Sequence, residues 1–239
     1  MNLSDFFSYW LENYAKSHLS DRTIQLYKSE FYRMNLALGT KPIDKIEPKH
    51  ILLFYRNLYE CPRLDGQNGK LSPTTIQKYH VLLHLLFKRA VRWQMIFSNP
   101  IDQVDPPRYE YRNQKTILDY EQVGNFLVLL ENESLKHHLM CLWGIALGLR
   151  RGEIFGLQWE HVDFINNTLT IEQACQYVVR KGVSIKSTKT KASERLLSVP
   201  ESVIKLLKIY RQEKQFERDT LANKWAGASN FQDDFIFTT

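Results

Sequence analysis
Apolar residues in the first hundred positions recur at steps of three and four, the spacing of one helical face. In 3–18 they are Phe6, Trp10, Leu11 and Tyr14. Ser20 and Asp21 then offer an N-cap, and Ile24, Tyr27, Phe31, Met34 and Leu38 continue at helical steps to Gly39, placed where a C-cap glycine belongs. Pro42 and Pro48 bracket a short connection, after which Ile51, Leu52, Phe54, Tyr55 and Leu58 predict a third helix over about 48–60. Residues 61–72 have the composition of a loop. Ser72 before Pro73 combines a hydroxyl cap with proline at the first helical position. Ile76, Tyr79, Leu82, Leu83, Leu86 and Ala90 then form the inward face of a fourth helix running to about Trp93.

Asn99-Pro100 and Pro106-Pro107 break helix, and the stretch RYEYRNQK at 108–115 is polar and nearly free of aliphatics. This predicts two domains, 1–103 and 116–239, joined by a linker over 104–115. The second domain opens with helices over roughly 119–131 and 134–148. Strands are expected at Thr168–Glu172, near Tyr177–Lys186 and at Arg195–Val199. Pro200 opens a helix containing Val203, Leu206, Leu207 and Tyr210, and Phe235-Ile236-Phe237 is the last apolar element. The expected fold is mainly α: a four-helix N-terminal domain and a mixed α+β second domain with a small antiparallel sheet.

Composition narrows the partners. Of 239 residues, 44% are hydrophobic and 24% charged, as in an ordinary globular protein. The net charge of +6 favours polyanionic partners but does not identify one. Residues 1–105 hold 14 basic and 10 acidic side chains, and 106–239 hold 18 and 16, so the first domain is the more basic per residue. Cys61, Cys141 and Cys175 are far apart and form no CxxC pair, which argues against a disulfide framework or zinc site and fits a reducing cytoplasm. The N-terminus lacks the pattern of a signal peptide. No window approaches the roughly 18 apolar residues that span a membrane.

The chemistry concentrates in GLRRGEIFGLQWEHVDF at 148–164 and in STKTKASERLLSVP at 187–200. A guanidinium is planar, permanently charged and able to bind two oxygens, so Arg150 suits a phosphate. Glu153 lies three residues on, on the same face if helix persists there, where a carboxylate can hold the arginine in one rotamer. Read alone, the same residues are also compatible with solvated surface charges and a helix salt bridge. His137-His138, His80 with His84, and Asp233-Asp234 have no ligand spacing that would make a metal site.

The block at 148–164 resembles the "TGLRRGEllgLrWsDiD" motif of the phage integrase (tyrosine recombinase) family, departing at Leu147, where threonine is common, and at His161. The resemblance implies that Arg150 is the first catalytic arginine and Glu153 its supporting acid. The stretch at 187–200 resembles the family's "pKTkaSrRtipl" hairpin. There the catalytic lysine, a proton donor to the leaving 5′-oxygen, would be Lys189, with Lys191 the fallback and otherwise a DNA contact. In the first domain, Leu71-Ser72-Pro73-Thr74-Thr75-Ile76, Tyr79, Leu83, Leu86-Phe87, Ala90-Val91, Ile96 and Asn99-Pro100 resemble the SAM-like core-binding domain. Lys28, Thr74, Lys78 and Arg89 are its candidate DNA contacts.

The resemblance implies a metal-free, cofactor-free DNA strand exchange through a 3′-phosphotyrosine. It implies double-stranded DNA as partner, with assembly of several copies on it, no membrane and a cytoplasmic setting. The function expected is site-specific recombination and integration of a phage or mobile element. In the family an H-x-x-R box, a later His or Trp and the nucleophilic tyrosine follow the positions matched here, and residues 116–239 contain no H-x-x-R. The chain is therefore expected to be a C-terminally truncated member that binds DNA without cleaving it alone. The competing readings are a regulatory protein that occupies recombination sites without cleaving, and a helical DNA-binding or protein-interaction module without a recombination role.

Overall fold
The structure, a computed structural model, describes residues 1–64, 66–108, 117–179, 181–187 and 194–238. It divides into two compact units, Met1–Lys115 and Thr116–Thr239.

In the first unit the helices are α1 (Leu3–Trp10), α2 (Lys16–His18), α3 (Asp21–Leu38), α4 (Pro48–Glu60) and α5 (Pro73–Arg92). The Ser20 and Ser72 hydroxyls accept from the Thr23 and Thr75 backbone N–H groups, so both expected caps form. The expected continuous helix over 3–18 is instead interrupted by a π turn, Leu11–Ala15. Trp10 and Ala15 are both fully buried. They stand five positions apart, and the wider turn brings both onto one face where an α-helix would splay them apart. Gly39 also departs from expectation. It is right-handed (φ −56°), and what it supplies is space: a Cβ there would lie 2.0 Å from Asn35 Oδ1. Its carbonyl accepts from Ser4 N–H and that of Lys41 from Leu3 N–H, which stitches the end of α3 to the start of α1. The core is aromatic-rich, with Phe7 and Phe31 stacked at 3.7 Å and α5 burying Ile76, Tyr79, Leu82, Leu83, Leu86, Phe87 and Ala90.

The second unit contains α6 (Tyr120–Leu130), α7 (Leu135–Ala146), α8 (Arg151–Gly156) and α9 (Glu201–Leu221). Strands β1 (Val162–Asp163), β2 (Thr168–Ile171) and β5 (Arg195–Ser198) form an antiparallel sheet in the order β1-β2-β5. Strands β3 (Gln173–Val178) and β4 (Gly182–Ser187) form a separate antiparallel hairpin. The single strand expected near Tyr177–Lys186 is thus corrected to parts of two strands. Val178 pairs with Gly182, whose φ of +80° supplies the reversal. Trp143, Ile154, Leu157, Trp159, Leu169, Ile171, Val203, Leu207, Tyr210, Ile236 and Phe237 share one core.

The terminal segment is anchored by polar contacts. Asp234 is buried and accepts from Arg218 Nη1 at 2.9 Å, from Trp225 Nε1 at 3.1 Å and from the Ala228 N–H. Ile236 N–H donates to Leu157 O and Trp159 N–H to Asp234 O. Removing one member of a buried ion pair strands the other. Asp234→Ala is therefore expected to destabilise the second unit by about 3–5 kcal/mol, readable as lost hydrogen-exchange protection in α9 and around Leu157.

Candidate phosphate-binding site
The apolar helix α7 ends because Gly148 adopts φ +63°, a conformation that side-chain-bearing residues rarely take. Leu149 N–H donates to Trp143 O across this turn, Leu149 is buried, and Arg150 follows in extended conformation (φ −72°, ψ 149°) as the N-cap of α8. Helix does not persist from α7 through Arg150, so Arg150 and Glu153 do not share a face in that way. They meet as N-cap and third residue of a new one. Glu153 Oε2 accepts from the Arg150 backbone N–H at 2.9 Å, and Oε1 accepts from Arg150 Nη1 at 3.0 Å. The same carboxylate thus caps the helix and orients the guanidinium.

A second arginine completes the arrangement. Arg195, the first residue of β5, donates from Nη1 to Glu153 Oε1 at 3.1 Å and from Nη2 to Oε2 at 2.9 Å. The Glu153 side chain is 5% exposed, that of Arg195 29% and that of Arg150 77%. The Arg195 bonds, aided by those of Arg150, hold the Glu153 carboxyl down to about 2, against the opposing effect of its burial. The Arg195 guanidinium is raised in turn, chiefly by its hydrogen bonds to Glu153. Sequence reasoning missed Arg195. Its signal was an arginine on the same face of β5 as the half-buried Leu197, where an unpaired charge would be costly.

Glycines bring the β3–β4 hairpin onto α8. A Cβ on Gly152 would come within 3.0 Å of Cys175 O, and one on Gly156 within 3.0 Å of Ala174 Cα and Cys175 N. Gln173 Nε2 closes the seam by donating to Gly156 O at 2.7 Å. His161, the departure in the block, is buried. Its Nδ1 accepts from Gln158 N–H at 2.9 Å, which leaves Nε2 to carry the proton toward Glu172 Oε1 at 3.1 Å. It is a prop for the turn below α8. Lys189 and Lys191 lie outside the described residues.

In the first unit the candidate DNA contacts divide. Lys28 is exposed on α3. Thr74 and Lys78 are exposed one turn apart on α5 and border a cavity of about 270 Å³ with Leu26, Tyr27, Glu30, Gln77 and Val81. Glu30 is buried there, and burial pushes its carboxyl up to about 7 against the opposing pull of Lys78. Burial, with help from Glu30, also raises the Tyr27 phenol. Arg89 stands apart: its guanidinium lies 3.6 Å from the centre of the Tyr14 ring, a cation–π stack that fixes its plane. Among the described residues no group of three His, Cys, Asp or Glu is arranged to hold a metal, and no helix is long and apolar enough to cross a membrane.

Comparison with known proteins adds the following. Residues 2–59 match the model of the phage integrase N-terminal SAM-like domain. The chain is 26% identical over 252 residues to a tyrosine recombinase XerC-like protein of Caldanaerobacter subterraneus subsp. tengcongensis, covering 100% of this chain and 62% of that protein. It is 24% identical over 228 residues to the ICEBs1 integrase of Bacillus subtilis, covering 94% of this chain and 58% of that one. The chain thus spans about three-fifths of the length of these relatives. Among solved structures, the Tn1549 transposon integrase in complex with transposon right end DNA superposes with a TM-score of 0.77 at 20% identity, over 100% of this chain and 71% of that one. A lambda integrase (75–356) dimer bound to a COC′ core site gives 0.65 at 14% identity, over 89% of this chain and 68% of that one.

Two titrations of stability follow from the shifted carboxylates. Glu153 ordinarily titrates at 4.5 and is held at about 2, so its contribution is full above pH 4.5 and is lost as pH falls through 2. Glu153→Gln is expected to cost the second unit on the order of 3 kcal/mol at neutral pH and almost nothing near pH 2, measured by urea unfolding with hydrogen exchange to resolve the units. Glu30 runs the other way. Its folded value of about 7 exceeds its ordinary 4.5, so stability is full below 4.5 and lost as pH rises through 7. Glu30→Gln should therefore raise the stability of the first unit at pH 8, by on the order of 2 kcal/mol, and leave it unchanged near pH 4.

Proposed function
We propose that the chain is a member of the phage integrase (tyrosine recombinase) family, the part of a site-specific recombinase of a phage or mobile element that grips duplex DNA and carries the first half of the phosphate-binding site; the match of residues 2–59 to the SAM-like domain and the likeness to two recombinases support this. The observation that carries the reading is the buried Glu153 carboxylate holding Arg150 at the start of α8 with its guanidinium facing solvent. Phosphoryl transfer builds negative charge on the non-bridging oxygens of the phosphate. A guanidinium already fixed in position stabilises that charge without reorganising.

In this reading Arg150 binds the phosphate and Glu153 orients Arg150. Lys189, with Lys191 as fallback, donates the proton to the leaving 5′-oxygen, and no metal or cofactor takes part. The residues matched here supply the first arginine and its supporting acid; the nucleophilic tyrosine and the second arginine of such a site are not among them. Lys28, Thr74, Lys78 and Arg89 contact the DNA backbone from the first unit. Support for that role comes from α5, whose 20 residues span about 30 Å, close to one turn of duplex, with Lys78, Lys88, Arg89 and Arg92 along its length. The chain would act as one of several copies assembled on DNA, in the cytoplasm.

The test is duplex binding measured as a function of salt on a mixed-sequence duplex. Affinity should fall steeply as salt rises, and Lys78→Ala should weaken binding while reducing the logarithmic salt slope by about one. Arg150→Ala should weaken binding roughly tenfold, the size of one lost charge-assisted contact. Binding that ignores salt, or an Arg150→Ala chain of undiminished affinity, would overturn the reading.

A further inference from the structure
We infer that Arg195 is a positioning residue of the phosphate site: its guanidinium fork fixes the Glu153 carboxylate, and that carboxylate fixes Arg150. The inference rests on the proposed function only in taking phosphate as what Arg150 meets.

The geometry divides labour between the two arginines. Arg195 spends two N–H groups on the carboxylate, one on each oxygen, in the paired arrangement that matches a guanidinium to a carboxylate. Arg150 spends one side-chain N–H and its backbone N–H. Arg195 is largely withdrawn from solvent while Arg150 is presented to it. Without Arg195, each Glu153 oxygen would keep a single bond from Arg150, one of them from a solvent-exposed side chain. The carboxylate could then rotate, and Arg150 would follow.

Charge points the same way. One arginine on one glutamate is a neutral pair, and an approaching phosphate would meet a compensated cation. Here Glu153 is shared between two arginines, so its charge compensates the exposed Arg150 only in part. The ionised groups acting on Glu153 are Arg195 from β5 and Arg150 from its own helix. The hairpin side of α8 contributes Gln173 and Cys175, which are uncharged. Chain topology gives the bridge a further consequence. Ser187 ends β4, whose partner strand β3 rests on Gly152 and Gly156, and Arg195 begins β5. The chain therefore leaves and returns to α8 on either side of the intervening residues, and Arg195 makes the second of those two attachments. Lysine could not substitute fully, since an ammonium is a point charge that cannot span both oxygens.

The test is a guanidinium NMR measurement on the full chain, following the Arg150 Nε–Hε signal from pH 8 to pH 4. In the natural sequence the signal should be ordered and flat with pH. In Arg195→Gln it should lose order toward that of exposed Arg151 and move with pH inside the window as Glu153 begins to titrate. Arg195→Lys should fall between the two, and it carries the test if the glutamine variant does not fold. A merely structural tie between β5 and α8 would shift the amides of both elements and leave the Arg150 guanidinium flat with pH, which would overturn the proposal.

Duplex binding separates this from the functional reading. Arg195→Gln should weaken binding several-fold more at pH 5 than at pH 8. If Arg150→Ala weakens binding while the Arg195 variants leave the Arg150 signal unchanged, the positioning role fails and the DNA reading stands. If the Arg150 signal responds while duplex affinity ignores Arg150→Ala, the DNA reading fails and the positioning role stands.

Discussion

A buried carboxylate that serves two arginines is the interaction around which the second unit is arranged. Glu153 must be desolvated to sit beneath the turn that ends α7, and an isolated charge there would cost several kcal/mol. Four hydrogen bonds offset that cost, and each has a structural by-product. The Arg150 N–H bond closes the first turn of α8. The Arg150 Nη1 bond sets the direction of an exposed guanidinium. The two Arg195 bonds hold the sheet edge at β5 against the helix. Helix start, arginine orientation and sheet placement are therefore one event, and none can be lost without disturbing the others.

The first unit handles charge differently. Its buried carboxylate, Glu30, is strained toward neutrality by burial, and the nearby Lys78 only partly offsets this. Arg89 is held by a ring face, which restricts its plane while leaving its edge donors for other partners. Arg89 is thus restricted in plane by a ring, whereas Arg150 is restricted in direction by a carboxylate, and the two units differ in that respect.

Much of this was legible in the sequence. Ser20 and Ser72 announced their helices because caps are local chemistry, read within three residues. Apolar steps of three and four predicted α3, α4, α5 and α9 because burial selects one face. The pairing of Arg150 with Glu153 was legible because the two lie in one contiguous block. Less legible were features set by contacts across the chain. The π turn at Leu11–Ala15 depends on what Trp10 and Ala15 pack against, and no local signal encodes it. The end of α7 near 148 was expected, but not the new helix that starts at Arg151 with Arg150 as its cap, because Gly-Leu-Arg-Arg does not mark which residue caps it. Arg195 lies 42 residues from its partner, in a strand whose alternation marked it as inward-facing only once the strand had been located.

The seam between α8 and the β3–β4 hairpin sets a mechanical property of the site. Gly152 and Gly156 let backbone approach backbone, with no side chain of their own to act as a spacer. Side chains cushion an interface by changing rotamer, whereas main-chain atoms in direct contact have no such freedom. The gap between helix and hairpin thus behaves as a hard stop. A larger residue at either glycine could be accommodated only by moving the whole hairpin away from the helix.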